Sequence, residues 1–126
     1  MKEQLFNAIE NNDIEKVKSV IKNVEDINAK DRYSKTALHW ACRGGCFETV
    51  KLLIENGADV NTRSNDRTPL HIACFYNHPK IVDLLIKVGA DIDVKDWTGE
   101  TPLDIAKRHD NQEIIDLLEK HNNKNN

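Results

Sequence analysis

The stretch Thr36-Ala37-Leu38-His39-Trp40-Ala41 decides the fold, because it occurs three times along the chain. It returns as Thr68-Pro69-Leu70-His71-Ile72-Ala73 and again as Thr101-Pro102-Leu103-Asp104-Ile105-Ala106. The leucines of successive copies are 32 and 33 residues apart. Self-similarity at a fixed period of about 20 to 50 residues is typical of proteins built from stacked structural repeats.

Two further blocks repeat with the same spacing. Residues 50–54 match residues 82–86 and then 115–118, and residues 57–61 match residues 89–93. A weaker copy lies upstream, where Leu5 and Ala8 precede Leu38 and Ala41 by 33 residues. We therefore expect a single domain over residues 1–121, with units at about 1–30, 31–63, 64–95 and 96–121.

Each unit is predicted to contain two short helices and an extended loop. The threonine that opens each copy is expected to cap the first helix, and a following proline suits its first turn. The second helix is expected to end at Gly57 or Gly89, whereas Val24 in the first unit predicts a different exit turn. The first helix is expected to end in a left-handed residue at Asn12, Gly45, Asn77 and Asp110.

These motifs resemble ankyrin repeats over about residues 3–120, in the Thr-Pro-Leu-His-x-Ala signature, the period and the Gly-Ala-Asp-Val-Asn block at 57–61. The resemblance implies an all-α ankyrin-repeat solenoid of four helix-turn-helix units with projecting β-turn fingers. It also implies that His39 and His71 form hydrogen bonds between neighbouring loops. The finger at 61–68 is one residue shorter than the others, so Asn65 or Asp66 is expected to supply its tight turn.

The first and last units depart from the signature in the way expected of terminal caps. Residues 4–8 lack the Thr-Pro-Leu-His form, and Asp104 replaces the histidine of the other copies. Both ends carry polar residues, which terminal repeats need for solubility. The chain is therefore predicted to be a complete protein, with a disordered polar tail over residues 122–126.

The composition is that of a soluble protein, with 39% hydrophobic and 31% charged residues. No apolar run approaches the roughly 20 residues of a membrane helix, and no secretory signal opens the chain. Three cysteines and a net charge of −3 argue against a disulfide framework and a general nucleic-acid binder. We expect a monomer in the cytoplasm, with the nucleus as a second location.

Catalytic motifs are missing from the sequence, which has neither a glycine-rich phosphate loop nor a nucleophile elbow. The spacing of His39, Cys42 and Cys46 suggests a metal site, but the repeat alignment favours structural roles for them. We expect no enzyme activity, no metal, no cofactor and no small-molecule substrate. Turn and capping roles are expected for Asp59, Asp91, Asp93 and Asp96.

Three residues within the repeats have more than one interpretation. Trp40 aligns with Ile72 and Ile105 and is therefore predicted to lie in the core. Asn28 and Asn61 occupy the position that asparaginyl hydroxylases modify in ankyrin proteins. The resemblance permits that modification, but it favours a structural hydrogen-bonding role.

The resemblance implies that a partner protein binds the finger tips and the concave face of the first helices. We expect an acidic or mixed partner surface with an apolar anchor, although loops that are simply polar remain the alternative. All five arginines and four of the seven aromatic residues fall in this set, and these types are enriched at binding hot spots. The set is Arg32, Tyr33, Lys35, Arg43, Arg63, Asn65, Asp66, Arg67, Phe75, Tyr76, Lys95, Trp97, Arg108 and His109.

Small four-repeat members of the family give two narrower hypotheses. One is a myotrophin-like regulator of actin-capping protein, and the other is an inhibitor of cyclin-dependent kinases. The opening residues 8–18 and the closing residues 110–114 resemble the myotrophin-like group somewhat better. A transcriptional cofactor, an enzyme and an arginine-mediated nucleic-acid binder are further alternatives.

Overall fold

A computed structural model describes residues 2–125 of the chain, and the side chains of residues 2–122. This part is all helical and contains no β-strand, only an isolated bridge between Ser64 and Arg67. The helices are α1 Lys2–Glu10, α2 Ile14–Val20, α3 Ala37–Gly44, α4 Phe47–Glu55, α5 Pro69–Phe75, α6 Pro79–Lys87, α7 Pro102–Arg108 and α8 Gln112–Asn125, with a 3-10 helix at Ile21–Asn23.

The helices pair and then stack in two rows, as the repeat pattern predicts. Within each unit the first helix packs on the second, and α1, α3, α5 and α7 contact one another in that order. The second helices α2, α4, α6 and α8 form the other row. Leu38, Leu70 and Ile105 are fully buried between the rows, so each unit completes its core with its neighbours. The solenoid predicted from the sequence is confirmed.

The threonine caps give α3, α5 and α7 the same start. The Thr36 hydroxyl accepts a hydrogen bond from the His39 backbone N–H, and the Thr36 N–H donates to His39 Nδ1 at 3.1 Å. Thr68 and His71 repeat this reciprocal arrangement. Each such cap satisfies helix N–H groups that would otherwise have no partner. It therefore fixes where the chain enters the row of first helices, which we call the inner row.

The ends of the first helices also agree with the sequence prediction. Their left-handed residues are Asn12 at φ 54°, Gly45 at φ 78°, Asn77 at φ 61° and Asp110 at φ 56°. In the first unit the second helix ends differently, because the 3-10 turn Ile21–Asn23 precedes an extended Val24 at φ −78°. The expected difference at this exit turn is confirmed.

The fingers between the units are tight turns of two kinds. In the fingers at 31–35 and 96–100, an aspartate at the first position bonds the backbone N–H groups two and four residues later. The short finger closes instead through Ser64 and Arg67, which exchange backbone bonds of 2.8 and 2.9 Å. Its two central residues, Asn65 and Asp66, are both left-handed, as a two-residue hairpin turn requires.

Side-chain hydrogen bonds tie each finger to the next unit. His39 Nε2 donates to the Arg67 carbonyl at 3.1 Å, and His71 Nε2 donates to the Glu100 carbonyl at 3.0 Å. Asn28 Oδ1 accepts from the Asp59 N–H, and Asn61 Oδ1 repeats this bond with Asp91. The structural roles predicted for these histidines and asparagines are confirmed.

Helix α8 continues through residues 122–125, where the sequence predicts a disordered tail. No glycine or proline interrupts this segment, so the amphipathic helix before it can propagate. Residue 126 lies outside the described residues. Within the described helices, none has the length and apolar character needed to cross a bilayer.

Candidate interaction surface

A row of stacked aromatic and cationic side chains crosses the face formed by the first helices and the fingers, which we call the inner face. The aromatic row runs through Tyr33, Trp40, Arg43, Tyr76 and Phe75. Tyr33 meets Trp40 edge-on at 6.3 Å, and the Arg43 guanidinium lies 5.5 Å from both the Trp40 and the Tyr76 ring centroids. Tyr76 then meets Phe75 at 5.0 Å. The row therefore joins the second unit to the third through one arginine.

Cationic and imidazole groups flank this row. Lys35 Nζ lies 5.1 Å from the Trp40 ring, and Arg67 lies 5.4 Å from the Phe75 ring. His109 meets Phe75 edge-on at 4.8 Å, which extends the contacts into the fourth unit. Positively charged side chains thus already lie against the aromatic rings of the inner face.

Trp40 lies in this row and is half-buried, so the prediction that it belongs to the core is wrong. Its indole N–H donates to Asp31 Oδ2 at 2.7 Å, which draws the ring toward the finger. An isoleucine at the equivalent position has no donor to satisfy and can be fully buried, as Ile105 is. Burial raises the pKa of Asp31, but hydrogen bonds from Lys35, Trp40 and Tyr33 outweigh this and lower it.

A groove of about 990 Å³ opens beside the row. One wall comes from α1, a helix that contributed no residue to the predicted site. The alternation of Glu3, Phe6 and Glu10 at helical spacing is the sequence signal that could have identified this wall. The lining is Lys2, Glu3, Phe6, Asn7, Ile9, Glu10, Asp31, Arg32, Tyr33, Trp40, Arg43, Gly44 and Tyr76.

A smaller cleft of about 140 Å³ lies on the other side of Trp40, Arg43 and Tyr76. Lys35, Asn65, Arg67 and Trp97 contribute to it from the three fingers. No aspartate or glutamate of the described residues lines this cleft. Six of the predicted site residues, from the second, third and fourth units, therefore come together around a cleft of positive character: Lys35, Arg43, Asn65, Arg67, Tyr76 and Trp97.

The predicted arginines divide into two groups by their partners. Arg67 pairs with the buried carboxylate of Asp96 at 3.1 Å, and Arg108 bonds both oxygens of Glu100 at 2.9 and 3.0 Å. Arg63 donates to the Lys95 carbonyl and lies 4.0 Å from Asp66. These three arginines connect fingers or stabilise turns within the chain.

Asp96 is the buried centre of the third finger. Burial alone would raise the pKa of its carboxyl, but hydrogen bonds from Thr98, Glu100 and Arg67 lower it to about 2. The side chain is completely inaccessible, while that of Arg67 keeps 28% of its exposure. This ion pair therefore holds the second and third fingers together, and Arg67 reaches solvent only at its edge.

Arg32 and Arg43 differ from the other arginines. No carboxylate of a described residue lies within 4.0 Å of either guanidinium. Arg32 rests over the Tyr33 ring at 5.1 Å, and the backbone carbonyl of Arg43 accepts a bond from His78 Nε2 at 3.1 Å. Their charges remain open to solvent on the inner face.

The exposed apolar side chains also concentrate here. Trp97 is 69% exposed at the third finger, Tyr33 is 55% exposed and Tyr76 is 41% exposed. Phe47 and Val88 are exposed as well, but they lie on or beside the second helices, away from the aromatic row.

The remaining predicted residues at finger tips and helix ends are also exposed, and their part in partner binding stays a prediction. They are Asn65, Asp66, Lys95, Arg108 and His109.

The residues considered for chemistry are held in structural roles. Burial lowers the pKa of His39 and His71, so these rings are neutral and use both nitrogens in hydrogen bonds. Burial raises the pKa of the Cys42 thiol, and it raises that of Cys74 to about 12. Within residues 2–122, no three histidine, cysteine or acidic side chains are grouped to hold a metal ion.

The sequence matches known proteins through its repeats. A family model described as ankyrin repeats, in three copies, matches residues 5–96. An ankyrin repeat protein of Rickettsia bellii is 33% identical over 122 residues, which cover 92% of this chain and 54% of the bacterial one. Another from Acanthamoeba polyphaga mimivirus is 46% identical over 57 residues, or 45% of this chain and 8% of the viral one.

A third relative is named for another kind of domain. The acyl-CoA-binding domain-containing protein 6 homolog of Dictyostelium discoideum is 56% identical over 50 residues, which cover 39% of this chain and 17% of that protein. The chain thus spans about half the length of the Rickettsia protein and far less of the other two.

Proposed function

The chain belongs to the ankyrin repeat family, whose repeats generally mediate binding between proteins, and we propose that it is an interaction module or adaptor that binds a partner protein through its inner face. The observation that carries the proposal is the aromatic row. Tyr33 and Tyr76 leave large apolar rings open to water beside a groove of about 990 Å³, and the half-buried Trp40 lies between them in the row. Exposed aromatic residues with arginine between them are the usual composition of binding hot spots.

The partner has an acidic or mixed surface with an apolar anchor. The middle of the inner face carries Lys35 and Arg43 next to the rings, whereas the groove is also lined by acids, Glu3 and Glu10 from α1 and Asp31 from the first finger. A partner that places an apolar side chain in the groove would meet both charges at its rim. The interaction requires no catalytic group.

The test uses exposed rings that the core does not need. The triple variant Tyr33→Ala, Tyr76→Ala and Trp97→Ala is used to purify partners from the cells that produce the protein. We expect the partners bound by the unmodified chain to be lost. The matched control is Phe47→Ala with Val88→Ala, which removes exposed apolar groups from the other side and should retain them.

Two measurements decide the outcome. Urea unfolding midpoints of both variants establish that they are folded. If the folded triple variant captures the same partners in the same amounts as the unmodified chain, the inner face is not the binding surface.

We further propose that the chain acts as a monomer in the cytoplasm or the nucleus. The narrower hypotheses are a myotrophin-like regulator of actin-capping protein, an inhibitor of cyclin-dependent kinases and a transcriptional cofactor, and all of them would use this same face. Binding to purified actin-capping protein, compared between the unmodified chain and the triple variant, separates the first from the others.

A further inference from the structure

The repeats provide an internal comparison between equivalent positions on the inner face. The second, third and fourth units can be compared at two positions, the residue before the capping threonine and a residue in the last turn of the first helix. In the fourth unit these are Glu100 and Arg108, which form a bidentate ion pair. In the third they are Arg67 and Phe75, which are in cation–π contact. Each of these two pairs is complementary within the chain.

The second unit has two cations at these positions, Lys35 and Arg43. Both rest on the Trp40 ring, at 5.1 and 5.5 Å from its centroid. Within the described residues no carboxylate lies within 4.0 Å of either charged group. Arg108 therefore has the Glu100 carboxylate beside it, whereas Arg43 has no acidic side chain of the described residues in the equivalent place.

The neighbouring acid, Asp31, is already committed to the finger. Its Oδ1 accepts the Tyr33 and Lys35 backbone N–H groups at 2.8 and 3.0 Å, and its Oδ2 accepts the Trp40 indole N–H at 2.7 Å. Releasing it would leave these donors without their bonds.

Arg43 already lies near two aromatic rings before any partner arrives. Its guanidinium lies between the Trp40 and Tyr76 rings, and the bond from His78 to its carbonyl fixes the backbone at the end of α3. No hydrogen bond or ion pair within the described residues uses its guanidinium N–H groups, which are therefore available for a bidentate bond to a carboxylate.

We propose that Lys35 and Arg43 bind a carboxylate side chain of an acidic partner segment, which pairs with Arg43 as Glu100 pairs with Arg108 in the fourth unit. This inference rests on the proposed function and specifies what the inner face recognises. The cleft of about 140 Å³ at these residues has no acidic lining, so the carboxylate enters a region of positive charge.

The segment carries an apolar residue next to its acidic one. The groove that begins on the other side of Trp40 has the rings of Phe6, Tyr33 and Tyr76 in its lining. Glu3 and Glu10 in the same groove disfavour a polyanion such as a nucleic acid, because it would place phosphates against carboxylates. A single carboxylate beside an apolar side chain avoids that repulsion.

The experiment starts from a phage-displayed library of random peptides selected on the immobilised chain. We expect the selected peptides to be enriched in aspartate or glutamate beside a leucine or an aromatic residue. One such peptide is then synthesised, and its affinity is measured from Trp40 fluorescence in a Trp97→Phe background.

The variants test the two cations individually. We expect Arg43→Gln to lower the affinity for the peptide by about tenfold or more, since a charge-assisted hydrogen bond to the carboxylate is lost. Arg43→Lys should lower the affinity less, because lysine keeps the positive charge. Lys35→Gln should reduce the dependence of the affinity on salt concentration. Lys51→Gln is the charge-matched control, because it removes one exposed positive charge from α4 in the row of second helices, and it should leave the affinity unchanged.

Each outcome separates this inference from the proposed function. Selected peptides without acidic residues, or equal affinities for Arg43→Gln and the unmodified chain, overturn the carboxylate site while the interaction module stands. Preference for a phosphoserine peptide over its glutamate counterpart also overturns it. If the Tyr33, Tyr76 and Trp97 triple variant binds the peptide as well as the unmodified chain does, the proposed surface itself fails.

Discussion

His39 and His71 show how one side chain can fix three parts of the fold at once. Each ring accepts the backbone N–H of the capping threonine at Nδ1 and donates from Nε2 to the carbonyl before the next threonine. Because the threonine N–H needs an acceptor, the proton is confined to Nε2. A second proton on the ring would remove that acceptor, so the folded chain requires neutral histidines.

This requirement predicts acid sensitivity above the range where carboxylates titrate. Burial lowers the histidine pKa in the folded chain, whereas the unfolded chain takes up protons below the ordinary value of 6.5. The stabilisation is therefore complete above that pH and decreases as the pH falls through 6.5. The free energy of unfolding should fall by up to about 2 kcal/mol between pH 7 and pH 5.5.

Urea unfolding at several pH values checks this prediction. The double variant His39→Gln and His71→Gln should be less stable at pH 7 and should lose most of the pH dependence above pH 5.5. Asp96 contributes in a separate window, because its pKa of about 2 means that its stabilisation disappears only in stronger acid. A double variant with the full slope of the unmodified chain would assign the effect to other groups.

The histidines could be predicted from the sequence and Trp40 could not. The resemblance to ankyrin repeats implies the hydrogen bonds of the histidines, and the threonine–histidine spacing occurs twice, so one role covers both copies. A tryptophan occupies this repeat position only in the second unit. Its alignment with isoleucine accounts for the apolar ring but not for the indole N–H. Its indole N–H finds Asp31 across a finger whose path no local pattern specifies.

At the scale of the elements, the fingers at 31–35 and 96–100 are the same turn made with different residues. Both begin with an aspartate that bonds the loop, and both place their fourth residue in the left-handed region. That residue is Ser34 at φ 62° in one finger and Gly99 at φ 85° in the other. Serine pays a steric penalty there that glycine does not.

Exchanging these two residues should therefore have opposite effects. We expect Ser34→Gly to raise the free energy of unfolding by about 0.5–1 kcal/mol and Gly99→Ser to lower it by a similar amount. Open space around Gly99 excludes a clash as the cause, since nothing lies within 4 Å of an added Cβ. Thermal unfolding measures both changes, and a loss of stability in Ser34→Gly would contradict the explanation.

Helix ends were more predictable than the pairing of arginines. Asparagine, aspartate and glycine tolerate the left-handed region by their own chemistry, so their positions identify the turns. Whether an arginine pairs depends on which side chain the neighbouring finger presents. Arg43 and Arg108 are equivalent in sequence, yet only Arg108 has a carboxylate opposite it.

At the scale of the whole molecule, the period predicted stacking but not the groove. Stacking follows because each unit leaves an apolar face that only a neighbour can cover. The groove depends on α1, whose residues keep only the leucine and the alanine of the signature and so received no functional role. A terminal unit can thus contribute to a binding surface through the residues that distinguish it from the others.

Stacking in one dimension also predicts where the molecule opens first. Among the described helices of the inner row, α1 contacts only α3, whereas α5 contacts both α3 and α7. The first unit is therefore expected to open more readily than the third.

Leu5 and Leu70 are buried in α1 and α5, and changing either one to alanine removes the same methyl groups and lowers the free energy of unfolding by about 2–5 kcal/mol. We expect Leu5→Ala to speed amide hydrogen exchange in α1 and α2 while α5 to α8 stay protected. Leu70→Ala should speed exchange throughout, because it weakens the contacts on both of its sides. Equal loss of protection in α7 and α8 for the two variants would mean that the chain opens as one cooperative unit rather than repeat by repeat.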